Sequence, residues 1–157
     1  MTTETMTSIW QGTLKGCPAV GAVAERRRRT SFDDVECFTA MTGDRNPLHF
    51  DEALARVSPF GGLIVQGGVT SGILNALVAE DLPGPGTVFL GVEWRFTKAV
   101  RVGDTIIGRI EITGRRDDKP ICMLRTTVLN EAGEICLDGT ATTYTVPLKA
   151  AAERVGP

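Results

Sequence analysis

Histidine is nearly absent from the sequence, since His49 is the only one among 157 residues. A catalytic zinc site usually takes about three protein ligands, and one imidazole with scattered cysteines supplies no such set. The glycine-rich stretch 67–73 has neither the Lys-Ser/Thr ending of a P-loop nor a G-x-G-x-x-G pattern, so it predicts no phosphate-binding loop. We therefore expect chemistry without a metal or another cofactor.

Cysteine motifs and long apolar runs are also missing. Four cysteines are present without C-x-x-C spacing, and we expect reduced thiols in the cytoplasm rather than a disulfide framework. The first residues are Thr-rich and include an acid where a secretory signal has basic and apolar residues, so we expect no leader. The most apolar internal stretch, 73–79, is far shorter than the roughly 20 residues that span a bilayer, which predicts no membrane segment.

An excess of basic residues is the third absence. Lys and Arg total 17 against 19 Asp and Glu, so the net charge of -2 favours no nucleic-acid partner. The run Arg26 to Arg29 is a local exception that is typical of a nucleic-acid or nuclear-import patch, or of a solvated edge strand. We favour the edge strand because the run lies in an extended segment that leads into a helix.

One folded domain is expected, because the chain is 42% hydrophobic and too short to form two separate hydrophobic cores of ordinary size. We assign it to residues 17–147. Residues 1–16 are predicted as a flexible N-terminal arm, with a short strand around Ile9 to Leu14 and a disordered start as alternatives. Residues 148–157 are predicted as a C-terminal tail.

Helices are predicted in the first half of the domain. Ser31 with Asp34 forms a capping-box pattern for a helix that ends by Gly43, and residues 51–57 have the composition of a short helix. A strongly apolar helix is expected from Gly67 to about residue 80. The first helix is expected to bury Val35, Phe38 and Met41.

The second half of the domain predicts an antiparallel sheet. Apolar and polar residues alternate over 92–96 and 106–112, and two further strands are expected over 121–129 and 134–146. The sequence therefore predicts helices followed by a meander of about four strands that wraps the apolar helix. This order corresponds to the α+β class.

An acid and the single imidazole lie close together in the sequence. Asp44 precedes His49 by five residues, and we expect no helix to run through Pro47, so both side chains are presented on a shaped, non-helical turn. An ionised carboxylate beside an imidazole suits general acid/base catalysis near neutral pH. The alternative is that Asp44 caps the turn and His49 is simply packed.

The surrounding residues resemble those of the MaoC-like (R)-specific enoyl-CoA hydratases. The element D-x-N-P-x-H, here Asp44 to His49, is followed by a short helix, the segment Leu63 to Gly67 and the apolar helix. The likeness continues through Leu82 to Gly86 and covers about Ser31 to Val146. The family commonly has His-Gly where this chain has Gln66-Gly67, and Gln66 forms hydrogen bonds but does not titrate.

This resemblance implies a hot-dog fold, which is a curved antiparallel sheet around a central helix, usually in a homodimer or higher homo-oligomer. It implies reversible hydration of a trans-2-enoyl-CoA to an (R)-3-hydroxyacyl-CoA in fatty acid metabolism. Asp44 and His49 would activate the water, and Asn46 would order the turn. Gly67 would form the oxyanion hole, in agreement with a glycine N-H at the positive end of a helix dipole.

Other functions stay open. A hot-dog acyl-CoA thioesterase would use a carboxylate to direct water at the carbonyl, and a non-catalytic acyl-CoA-binding subunit would need no titrating pair. A nucleophile paired with His49 is disfavoured, because Cys37 is expected to be buried in the first helix and neither Ser58 nor Ser71 lies in a nucleophile elbow.

Overall fold

The computed structural model describes residues 2–149, apart from the side chains of Met6 and Thr7. Within this range, five strands and five α-helices are joined by loops, and a π-helical turn, Leu77–Asp81, extends the fifth helix. The elements are α1 (Thr3–Ile9), β1 (Val23–Arg29), α2 (Phe32–Thr42), α3 (Pro47–Phe50), α4 (Glu52–Val57), α5 (Gly67–Ala76), β2 (Thr87–Phe96), β3 (Thr105–Arg115), β4 (Ile121–Asn130) and β5 (Ile135–Thr145).

The five strands form one antiparallel sheet in the order β1-β3-β4-β5-β2. Only β3, β4 and β5 follow each other as a meander, so the prediction of a four-strand meander is wrong for β2. That strand crosses over and pairs with β5. Strand pairing between distant segments depends on tertiary packing, and turn signals report only local neighbours.

The apolar helix α5 packs across the concave face of the sheet. Its close approach to β3 depends on Gly108, where an added Cβ would lie 2.8 Å from the Ile73 side chain. The core between helix and sheet includes fully buried residues from α5, the π-helical turn, β3 and β4, among them Leu74, Leu77, Ile106, Ile110 and Val128. This architecture is a hot-dog fold, as the resemblance to the MaoC-like hydratases implied.

The arginine run forms β1, which lies at one edge of the sheet. Arg26, Arg27 and Arg28 form ion pairs with Asp81, Glu131 and Asp34 respectively. The prediction of a solvated edge strand is therefore confirmed. Charged side chains on an edge strand also discourage pairing with another sheet.

Several local predictions are wrong. No strand forms around residues 9–14, because Ile9 ends α1 and the following residues form turns that bury Trp10. Met41 is 74% exposed and Cys37 is exposed, since only the narrow face of α2 that carries Val35 and Thr39 is fully buried. Thus α2 lies on the surface of the domain along most of its circumference.

All four cysteines are free, as predicted. Burial raises the pKa of the Cys122 thiol to about 12 and also raises that of Cys136. Across residues 2–149, no helix is both long enough and apolar enough to cross a bilayer. The predicted tail lies outside the described residues from position 150 onward.

Candidate active site

Helix α2 ends where the candidate acid begins. Ser31 and Asp34 form the expected capping box at its start. At its other end Gly43 adopts a left-handed conformation with φ of 79°, and its N-H donates to the carbonyl of Thr39. This C-cap turns the chain away from the helix axis and presents Asp44 just beyond it.

A network of short-range hydrogen bonds shapes the turn that follows. The Asp44 carboxylate accepts from the backbone N-H of Asn46 at 3.0 Å, and the Asn46 side chain accepts from the N-H of Leu48 at 3.1 Å. Asn46 is the N-cap of α3, and Pro47 is its first residue. The expectation of a non-helical turn is therefore wrong, because proline is well tolerated at the first position of a helix, where its missing N-H is not needed.

The side chains of Asp44 and His49 point toward each other. The distance from Asp44 Oδ2 to His49 Nε2 is 3.7 Å, and the histidine side chain is 7% exposed while that of the aspartate is 38% exposed. The other ring nitrogen, Nδ1, lies 2.7 Å from the carbonyl oxygen of Ile64. A carbonyl only accepts, so Nδ1 carries the proton in the neutral ring and Nε2 presents a lone pair to the carboxylate.

Two acceptors at this separation suit a bridging donor. A lone pair on Nε2 and an ionised Oδ2 do not hydrogen-bond to each other, whereas one water can donate a proton to each. Because the histidine is buried and the aspartate is partly exposed, a water held between them would remain accessible from solvent on the side of the aspartate. The arrangement is therefore able to hold and polarise a small nucleophile.

The start of α5 supplies backbone donors. Gly67 is the first residue of this helix, and within residues 2–149 the N-H groups of Gly67 and Gly68 donate to no protein acceptor. Gly67 is exposed and borders a cavity of about 240 Å³ whose wall includes Ile64 and Phe96. Unpaired N-H groups at the positive end of a helix dipole stabilise negative charge on a ligand.

One cation lines the same cavity. Lys98 donates to Glu134 at 2.8 Å, and this hydrogen bond raises the pKa of the ammonium group and lowers that of the carboxyl. Lys98 is therefore charged at neutral pH, but much of its charge is already balanced.

Gln66 connects the two halves of the site. Its side chain is buried, and Nε2 donates to the Val35 carbonyl at 3.2 Å and to the Thr39 hydroxyl at 3.1 Å. The Thr39 hydroxyl in turn donates to the backbone carbonyl of Asp44 at 2.7 Å. The residue before the free N-H of Gly67 is thus linked through a single threonine to the candidate acid.

The structure brings Asp44, Asn46 and His49 into one turn. It ties Gly67 to that turn through the links from Gln66 to Thr39 and from His49 to Ile64. Sequence reasoning missed Thr39 and the Ile64 carbonyl. The position of Thr39 five residues before Asp44 is a weak sequence signal for its hydrogen bond to the turn. The Ile64 carbonyl has no sequence signal, because every residue carries a backbone carbonyl.

Comparison with known proteins gives one family. A model described as a MaoC like domain matches residues 18–132. The (R)-specific enoyl-CoA hydratase of Aeromonas caviae is 35% identical over 122 residues, covering 78% of this chain and 91% of that protein. The 3-hydroxybutyryl-CoA dehydratase of Methylorubrum extorquens is 34% identical over 122 residues, covering 78% of this chain and 77% of that protein.

Solved structures agree with this result. The (R)-hydratase from A. caviae superposes with a TM-score of 0.79 at 33% identity, covering 82% of this chain and 98% of that chain. The unliganded R-hydratase PhaJ1 from Pseudomonas aeruginosa gives a TM-score of 0.76 at 35% identity, covering 82% of each chain. Sequence and fold coincide, and the chain belongs to the MaoC-like dehydratase family.

Proposed function

We propose that this protein is an (R)-specific enoyl-CoA hydratase, a hydro-lyase that adds water reversibly to a trans-2-enoyl-CoA and forms an (R)-3-hydroxyacyl-CoA. The observation that carries the proposal is the 3.7 Å separation of Asp44 Oδ2 and His49 Nε2, with the imidazole lone pair directed at the carboxylate. The relatives named for this reaction support the choice of substrate class and of stereochemistry.

The acid and the imidazole would act on one water molecule. The water oxygen forms a bond to the β-carbon of the enoyl group while one of its protons passes to the Asp44–His49 pair. A proton from the pair then bonds to the α-carbon, so the elements of water are added and the pair regains its starting protonation state. General acid/base catalysis of this kind contributes roughly 10²–10⁴-fold in rate.

The N-H of Gly67 would stabilise the thioester oxygen. Attack at the β-carbon moves negative charge through the α-carbon onto that oxygen, and a free N-H at the start of α5 is suited to donate a hydrogen bond to it. Asn46 would act by holding the turn, since its side chain caps α3 and its backbone N-H binds the Asp44 carboxylate. In the reverse direction the same groups would remove water.

The test is hydration of crotonyl-CoA, followed as loss of enoyl-thioester ultraviolet absorbance, with chiral analysis of the product. Folded protein that is inert toward a panel of enoyl-CoA chain lengths contradicts the proposal. Release of free thiol without loss of the alkene would indicate the thioesterase alternative. Tight acyl-CoA binding without turnover would indicate a non-catalytic subunit.

We also propose a homodimer that forms through β2, in a cytoplasmic enzyme whose domain spans residues 17–147. Strand β2 is the second edge of the sheet, and it carries four exposed large apolar side chains where β1 carries one, Val23. Those of β2 are Val88, Leu90, Val92 and Phe96, each about half exposed. An apolar edge strand is a template for pairing with a second copy, which would join two sheets around a two-fold axis.

A further inference from the structure

A mainly apolar cavity of about 550 Å³ lies between β1, α2 and α5. Its floor is the small-residue face of α5 at Gly68, Gly72 and Ala76. Phe38 and Met41 of α2 form one wall of this cavity. At Gly72 an added Cβ would have no heavy atom within 4 Å, so the space next to this residue is open and is not filled by packed side chains.

This cavity, which we call the α2–α5 cavity, begins beside the candidate active site. Gly68 lines it and directly follows Gly67, which lines the smaller cavity of about 240 Å³. The ring of Phe38 packs so closely over Gly68 that an added Cβ would lie 2.1 Å from it. A carbonyl bound at the start of α5 would therefore lie next to residues of both cavities.

The two cavities differ in charge. The smaller one has the cation Lys98 in its wall. The three arginines at the rim of the α2–α5 cavity are each paired with a carboxylate, of which Asp34 also lines the cavity. The remaining lining is almost entirely apolar, so the cavity is suited to an uncharged hydrocarbon and offers no unpaired cation to a carboxylate.

We propose that the α2–α5 cavity binds the aliphatic tail of the acyl group, and that the preferred substrates are enoyl-CoAs with unbranched, uncharged chains longer than crotonyl. This inference rests on the proposed hydratase function and names the part of the protein that selects the length of the acyl group. Gly72 and Met41 are the specificity-determining residues, because their size sets the depth and the width of the cavity.

The first experiment fills the cavity with Gly72→Leu. The position lies inside α5, where leucine is a better helix former than glycine, and the new side chain enters open space. The ratio of kcat/KM for trans-2-octenoyl-CoA to that for crotonyl-CoA should fall by about tenfold or more, since each methylene excluded from an apolar pocket costs about that factor.

The matched control is Ala79→Leu, which adds comparable bulk on the π-helical turn but outside the cavity. Both rates should stay at their wild-type values in this variant. An unchanged ratio in Gly72→Leu, or an equal fall in Ala79→Leu, overturns the assignment. In the opposite direction, Met41→Ala should raise the ratio for longer chains, because Met41 is exposed and its loss widens the cavity without disturbing the core.

The second experiment depends on binding alone. Cys37 lines the α2–α5 cavity and is exposed, whereas Cys17 lines a different cavity near the N-terminus. Octanoyl-CoA, which cannot be hydrated, should slow alkylation of Cys37 by iodoacetamide, and acetyl-CoA should not. Alkylation of Cys17, measured by peptide mass spectrometry in the same samples, is the internal control.

The outcomes separate the two proposals. Wild-type protein that hydrates no enoyl-CoA contradicts the proposed function, and protection of Cys37 then still tests the cavity. Hydration with an unaltered chain-length ratio in Gly72→Leu, or alkylation of Cys37 that octanoyl-CoA does not slow, contradicts the assignment of the cavity and leaves the proposed function standing.

Discussion

The ring nitrogen Nδ1 of His49 lies 2.7 Å from the backbone carbonyl oxygen of Ile64. This hydrogen bond determines which nitrogen of the neutral ring holds the proton and which faces Asp44. It also joins α3 to the segment that leads into α5. The orientation of the proposed base and the position of the proposed oxyanion donor are thereby linked through the backbone.

Removing either member of the pair should abolish most of the activity. Asp44→Asn and His49→Ala are each expected to lower kcat by roughly 10²–10⁴-fold with crotonyl-CoA, because the water loses the carboxylate or the imidazole as a partner in proton transfer. Asp51→Asn is the control, since Asp51 caps α4 and asparagine caps equally well. Variants of the pair that keep wild-type rates would contradict the mechanism.

The role of the Gly67 N-H can be isolated with two substitutions. Gly67→Pro removes the donor at a helix position that tolerates proline, and Gln66 already has the extended backbone that precedes proline. Gly67→Ala keeps the donor and brings a Cβ to the same Phe96 ring, at 3.2 Å. The proline variant should lose about 10²–10³-fold in kcat and the alanine variant far less. Equal losses would show that the contact with Phe96, and not the N-H, matters.

Thr39 is expected to act as a positioning residue. Thr39→Val leaves the Gln66 amide and the Asp44 carbonyl without their shared partner, at a cost of about 1–3 kcal/mol in the free energy of unfolding. It should also lower kcat more than it changes KM, because the turn that carries Asp44 loses its anchor. Thr39→Ser keeps the hydroxyl and should restore kcat. A stability loss with unaltered kcat would leave Thr39 a purely structural role.

Association through β2 predicts a mutation that yields monomers. Val92→Lys introduces a charge in the middle of the apolar edge and should shift the sedimentation coefficient from that of a dimer to that of a monomer. Val57→Lys adds the same charge at a residue of α4 that is 86% exposed, and should leave the coefficient unchanged. Wild-type protein that sediments as a monomer would contradict the dimer directly.

Thiol reactivity should follow burial. The pKa of Cys122 is raised to about 12, so this thiol is protonated throughout the physiological range and becomes a thiolate only at strongly alkaline pH. At pH near 8 its thiolate should be about a thousandfold scarcer than that of a cysteine in an unfolded peptide. Iodoacetamide should therefore modify Cys122 quickly only after denaturation. Rapid modification of Cys122 in the folded protein would contradict the described packing.

Local patterns in the sequence were sufficient for much of the site. The capping box at Ser31, the left-handed Gly43 and the short spacing from Asp44 to His49 all depend on residues within a few positions of each other. The helix that starts at Gly67 and the buried isoleucines of β3 followed from periodicity for the same reason. Each of these predictions uses contacts that the chain makes with its own neighbours.

Predictions failed where the answer depended on distant parts of the chain. Helical periodicity indicates the inward face of α2 but not its width, so it predicts Met41 in the core, whereas this side chain is largely exposed. The pairing of β2 with β5, rather than with β3, joins strands about 50 residues apart, a separation at which turn chemistry carries no information.

The sequence by itself therefore determined the elements, their caps and an acid close to an imidazole, because these features follow from backbone conformation and short-range hydrogen bonds. Tertiary structure alone decided that the imidazole lone pair faces the acid, that Gln66 and Thr39 join two helices, and that a cavity opens beside α5. Those outcomes require α2, α3 and α5 to pack against one another, and the free energy of such packing is shared among residues far apart in the chain.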